Sequence, residues 1–138
     1  MNHLHKNKTF AATLGLITGG AGLHRFYLYG AKDRWAWLHV LLCVVTVGLL
    51  LAYPDRLLLL NIAPFIFSTL FACIATFMIG LMSDEKWDAL HNPESDKTSN
   101  SSWIIAVLMV SNLAYSTTLL LIAMARAFDI ILTGGSYG

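Results

Sequence analysis

The chain has 138 residues, of which 57% are hydrophobic and only 12% charged, with a mean hydropathy of +0.63 and a formal net charge of +1. Nine Lys+Arg and eight Asp+Glu cannot coat a water-exposed domain, whose surface needs roughly a quarter of all residues charged, so much of the exterior faces lipid. No basic run exceeds the pair Lys6 and Lys8, which excludes the electrostatic stripe that a nucleic-acid partner requires.

Four apolar segments follow one another, at 10–29, 35–53, 57–82 and 103 to about 125. Each is near the roughly 20 residues a helix needs to cross hydrocarbon, and none alternates with period two. The predicted fold is all-α, a polytopic membrane protein with four transmembrane helices arranged as two antiparallel hairpins. Residues 1–53 form the first hairpin, and residues 54–138 the second, with a polar loop at 83–102. The segment 35–53 should insert unaided, because Leu38 to Leu51 holds ten Leu and Val. The first segment is weaker, since it carries Gly15, Gly19, Gly20, Gly22 and Arg25 and depends on a neighbouring helix.

Short connections at 30–34 and 53–56 separate the first three segments, the second marked by Pro54 and Asp55. In the polar loop a short surface helix is expected, with Ser83 as N-cap, Asp84 and Glu85 in the first turn, and Trp87 with Leu90 as an apolar edge toward the headgroups. Four crossings put Trp35, Trp37, Trp87 and Trp103 at one membrane face and Tyr53 at the other, as interfacial anchors. Five cations on the tryptophan face (Arg25, Lys32, Arg34, Lys86 and Lys97) against Lys6, Lys8, Arg56 and Arg126 make that face cytoplasmic, with both termini outside. A cleaved signal peptide fits poorly, because Thr13, Gly15 and Thr18 dilute the apolar run after Lys8.

Little in the chain points to a reaction. Cys43 and Cys73 lie in apolar stretches and indicate neither a disulfide nor a metal, and Gly19-Gly20-Ala21-Gly22 lacks the strand and the Gly-Lys-Ser/Thr ending of a phosphate cradle. Gly15 and Gly19 form a small-xxx-small step, and Thr18 with Gly22 a second, which reads as a close helix-contact surface within the chain or between copies. Arg25 lies inside its helix end and needs a partner, Asp33 being nearest. His24 and His39 would lie at similar depth in a hairpin, where carbonyl or headgroup hydrogen bonds are the ordinary role and haem ligation the rarer one. Polar side chains from Ser111 to Thr118 suit inter-helix hydrogen bonds, and Arg126 with Asp129 suits a surface ion pair.

The run KNKTFAATLGLITGGAGLHRFYL at 6–28 resembles the two-transmembrane domain family, in its Lys-Thr start, its Ala-rich helix, the Gly-Gly-x-Gly step and His-Arg-Phe-Tyr. The likeness covers residues 6–53; Tyr29 stands where the family usually has Gly, and the family's Trp and Asp ending is absent from 47–53. The segment DEKWDALHNP at 84–93 with a further helix is similar to a four-helix bacterial branch of that family. The resemblance implies a bacterial inner-membrane protein with His24 to Tyr27 in a cytoplasmic loop and no established catalytic residues. It makes Gly19, Gly20, Gly22, His24, Arg25, Phe26 and Tyr27 the motif residues, to which the contact step adds Gly15.

The function expected is non-enzymatic, with no cofactor and no metal. The partners are the lipid bilayer and another membrane protein or a second copy, met through helix contacts; no nucleic acid and no small-molecule substrate is expected. An immunity-like protein that blocks a membrane-active toxin, or a small haem-binding or transport protein, are the alternatives.

Overall fold

The computed structural model describes residues 5–136, and among these every regular element is helical. The order is α1 (Lys8–Thr18), α2 (Leu23–Tyr29), α3 (Arg34–Ala52), α4 (Leu58–Leu81), α5 (Asp84–His91) and α6 (Ile104–Thr133). Three of them, α3, α4 and α6, are long and apolar enough to cross a membrane. At 19, 24 and 30 residues they measure about 28, 36 and 45 Å. They run alternately up and down, so the end holding Trp35 and Trp103 lies opposite the end holding Tyr53.

The fourth expected crossing is not a single helix. A 3-10 turn at Gly19–Ala21 and a left-handed Gly22 (φ 77°) stop α1, and α2 starts in a new direction. The contacts define that direction. Lys8 meets Asp84 and the Met82 carbonyl at the tryptophan end. From there α1 descends antiparallel along α4, with Gly15 against Thr76, Gly19 against Ala72 and Gly20 against Phe65 and Thr69. Thr69 lies twelve residues from Leu81, about 18 Å along the helix, and there the chain reverses. α2 climbs back until Lys6 Nζ donates to the Leu28 carbonyl and Asn7 N–H donates to the Tyr27 hydroxyl at 2.8 Å. The first segment is therefore a V, open at the tryptophan end, and Lys6 and Lys8 lie at the same end as the loop 83–102. The expected placement of the amino end opposite that loop is replaced by this geometry. The cause is the left-handed Gly22, which lets the backbone turn back where an ordinary residue would be strained.

The centre of the molecule is α4, which packs on α1, α3 and α6 through Ser68, Thr69, Ala72, Cys73 and Thr76. Small and hydroxyl side chains let backbones approach closely, the usual solution when lipid removes any hydrophobic drive between helices. In contrast α6 touches α4 along one seam, and only 6% of its most apolar window is buried against 39% for α4. Of the tail at 133–138, Thr133 still ends α6 and a left-handed Gly134 caps it; residues 137–138 lie outside the described part.

The loop helix α5 starts as expected, with Ser83 Oγ accepting from Lys86 N–H at 3.3 Å and Asp84 and Glu85 in its first turn. Trp87 departs from the expectation of a headgroup anchor. It is fully buried among Ala11, Ala12, Leu28 and Ile79, and its indole N–H donates to the Lys6 carbonyl at 3.0 Å. The returning amino end covers it, a contact between residues 81 apart in sequence.

Candidate functional site

The polar centre of the structure is the apex of the V. Gly20 is placed there by the 3-10 turn, whose carbonyls are not all taken up by helical bonds. Its carbonyl accepts from Ser68 Oγ at 2.6 Å and from the Cys43 thiol at 3.4 Å. Ser68 Oγ also lies 2.6 Å from His39 Nδ1. One hydroxyl of α4 thus joins the interrupted backbone to α3. Irregular backbone at membrane depth is stable only when protein supplies these bonds.

The glycines are what allow this approach. A Cβ on Gly19 would stand 2.5 Å from Ala72 Cβ, one on Gly20 2.7 Å from the Phe65 ring, and one on Gly22 2.7 Å from His39 Cβ. Gly15 meets Thr76 in the same way. All four contact glycines are therefore consumed within the chain, and the alternative of a glycine surface between copies falls away for them.

His24 and His39 come together as their shared depth suggested, with rings 5.7 Å apart and nearly perpendicular. His24 is 1% exposed, and neither ring nitrogen has a hydrogen-bond partner among the described residues. Arg25 makes the expected pair with Asp33, at 2.6 Å from Nε and 3.2 Å from Nη2, and stacks on Tyr29 at 4.9 Å. The Arg25 guanidinium holds the Asp33 carboxyl below its ordinary range, and Asp33 in turn caps α3 by accepting from Trp35 and Ala36 N–H. Phe26 meets Trp37 edge-on at 5.5 Å, and Tyr27 meets Phe10 at 5.0 Å. Trp35, Trp37 and Trp103 are exposed at one end and Tyr53 at the other, Tyr53 beneath the Arg56 guanidinium at 4.4 Å. The expected pair Arg126 and Asp129 is present at 2.8 Å.

Above the hairpin lies a polar clasp that sequence reasoning did not find. Lys8, only 5% exposed, pairs with Asp84 at 2.9 Å. Asp84 also accepts from the Ser101 amide at 2.6 Å and from its hydroxyl. These donors hold its carboxyl at about 2. Asp88 accepts from Ser99 and Asn92, and Asn92 bridges to Lys6. The network beneath was also missed, although Ser68, Ala72 and Thr76 repeat small residues every four positions and so form a legible contact stripe.

Among the described residues no group of three or more His, Cys, Asp and Glu converges as metal ligands, and Cys43 and Cys73 are both free thiols. The chain is thus an all-helical protein of three long apolar helices with a folded-back amino-terminal hairpin. No family model, no curated protein and no solved structure matches it.

Proposed function

We propose that this chain is a non-enzymatic integral membrane protein that works through helix contacts made by α6 with another membrane helix, of a companion subunit or of a second copy. In this reading α3, α4 and α6 cross the bilayer, and α1 with α2 re-enters from the tryptophan side. The V supports a cytoplasmic tryptophan side, because Lys6 and Lys8 join Arg25, Lys32, Arg34, Lys86 and Lys97 there, leaving only Arg56 and Arg126 at the other end. The amino end and the loop 83–102 are then cytoplasmic, while the His24 to Tyr27 segment, expected as a cytoplasmic loop, is part of the re-entrant helix α2 that opens toward that side. The setting implied by the resemblance to the two-transmembrane domain family is a bacterial inner membrane.

The observation that carries the contact reading is a row of hydroxyls on α6. Of the polar side chains between Ser111 and Thr118, only Asn112 makes a hydrogen bond to a neighbouring helix among the described residues, donating to the Cys73 carbonyl at 2.9 Å. Ser116 bonds back to Leu113 of its own helix. Ser111, Tyr115 and Thr118, spaced i, i+4 and i+7 on one side, are exposed and have no hydrogen-bond partner among the described residues. They lie about 10 to 21 Å from the start of α6, well inside hydrocarbon, where hydroxyls and small side chains serve as contact points between helices.

Replacing Ser111 and Thr118 by Leu tests it, with the assembly read by size and mass in mild detergent. The expected result is loss of the companion or the dimer from a still-folded monomer. An assembly unchanged in both variants, or a wild-type chain that is monomeric and alone, overturns the reading.

A further inference from the structure

Beside the apex, a slot of about 120 Å³ runs between α2, α4 and α5. His24 lies at its deep end, and Arg25, Tyr29 and His91 line it toward the tryptophan end. Its other wall is apolar, formed by Ala75, Met78, Ile79 and neighbouring side chains, and Met78 is 66% exposed on the outer surface. A cavity of this size holds about four waters or one headgroup fragment, and it is polar at one end only.

The one charged side chain that lines it among the described residues is a cation, Arg25. Arg25 directs Nε and Nη2 to Asp33, while its Nη1 has no partner among the described residues. Lys6 sits at the Leu28 carbonyl at the rim. None of the nearby acids lines the slot: Asp33 is occupied with Arg25 and the start of α3, Asp84 with Lys8 and Ser101, and Asp88 with Ser99 and Asn92, while Glu94 stands beside Lys6 and His91 in the adjoining cleft. Burial, and then Lys6, push the His91 imidazole below its ordinary value, so at neutral pH it offers a hydrogen bond and no charge.

We propose that this slot binds the phosphate-bearing head of an anionic phospholipid from the tryptophan-side leaflet, with Arg25, Tyr29 and His91 around the head and Met78 and Ile79 along its acyl chain. The inference rests on membrane insertion as proposed above but not on the α6 contact. Basic pockets between membrane helices at the headgroup level suit such lipids, and a guanidinium is the side chain best matched to a phosphate. The unpartnered His24 at the deep end keeps that end of the slot polar, which favours a head or ester group over a second acyl chain.

The test uses the full chain in nanodiscs of phosphatidylcholine containing a minor fraction of phosphatidylglycerol, with retained lipid read by native mass spectrometry. One phosphatidylglycerol per chain is expected in preference to phosphatidylcholine. Arg25→Gln should weaken its retention about tenfold, the value of one charge-assisted bond. Because that change also strips Asp33 of its partner, Ala75→Phe serves as a second variant, filling the slot from the apolar side with every charge kept; it should release the lipid with the melting point preserved. Arg126→Gln at the other end, and the Ser111 and Thr118 variants on α6, should retain it, which separates this site from the α6 contact. Equal retention of the two lipids, retention by both slot variants, or displacement by inorganic phosphate overturns the proposal. A chain that stays outside the nanodisc overturns it together with the membrane reading.

Discussion

Ser68 Oγ stands 2.6 Å from both the Gly20 carbonyl and His39 Nδ1, so a single hydroxyl holds three elements at the depth where the amino-terminal hairpin reverses. With Ser68→Ala, the Gly20 carbonyl keeps only the weak Cys43 thiol contact and His39 Nδ1 loses its partner. Leaving buried groups unpaired costs about 1–2 kcal/mol here, above the ~0.6 kcal/mol typical of side-chain bonds between membrane helices. Reversible unfolding in mixed micelles should show that loss. An unfolding free energy equal to wild type would mean the apex does not depend on this bond.

Gly19 of the 3-10 turn packs directly on Ala72 of α4, an approach that single methyl changes can probe. A methyl at Gly19 would stand 2.5 Å from Ala72 Cβ, so Gly19→Ala should destabilise by about 1–3 kcal/mol through overpacking. Ala72→Gly alone should cost up to about 1 kcal/mol for a glycine inside a helix. Combined, the two should lose less than their sum, since the second makes room for the first. Strict additivity in a double-mutant cycle would separate the two residues and with them the folded-back hairpin.

Much of this architecture is legible in the chain. Length and unbroken hydrophobicity place α3, α4 and the start of α6 within one or two residues, since Asp33 caps one helix as a short acid does and Pro54 with Asp55 closes the turn between the first two. Ser83 and Asp129 likewise act as local rules dictate. The reversal at Gly22 is not legible in that way. Mean hydropathy over 10–29 is the same for a crossing helix and for a bent one, and the left-handed φ of one glycine decides between them. Once the hairpin bends, Lys8 reaches Asp84 and Trp87 is buried beneath Lys6, both contacts between residues more than 70 positions apart. No local pattern encodes these. Arg25 with Asp33, only eight apart across a short turn, was legible for the opposite reason.

Acid should open the clasp between the amino end and the loop within a defined window. Asp84 is held at about 2 against an ordinary 3.8, first by the Ser101 hydroxyl and amide and then by Lys8. A carboxyl whose folded value is depressed contributes stability above its unfolded value and loses it as pH falls through the folded one. Hydrogen exchange of the amides at 6–8 and 99–101 should therefore stay slow from pH 7 down to about 4, after correction for intrinsic rates, and rise between about 4 and 2. Asp84→Asn should abolish that acid step at 101, leaving at 99 the part that belongs to Asp88, and should leave the buried Lys8 without a carboxylate, a loss on the order of 3 kcal/mol. Opening that begins near pH 6 would show that the clasp does not depend on the Asp84 carboxylate.

If α3, α4 and α6 cross a membrane, the bent hairpin puts the amino end and the loop 83–102 on one side of it. In a background of Cys43→Ser and Cys73→Ser, single cysteines at His5, Lys97 and Ser136 report three positions to a maleimide that cannot cross the membrane. If α1 and α2 fold back as the contacts Lys8 to Asp84 and Lys6 to Asn92 require, His5→Cys and Lys97→Cys label from one side and Ser136→Cys from the other. Four crossings would give a different pattern, with His5→Cys and Ser136→Cys on the same side and Lys97→Cys opposite. The charge distribution then supplies the direction. Seven of the nine Lys and Arg gather at the end of His5 and Lys97, so those two sites should be protected in intact cells and become reactive only when the cytoplasmic face is opened.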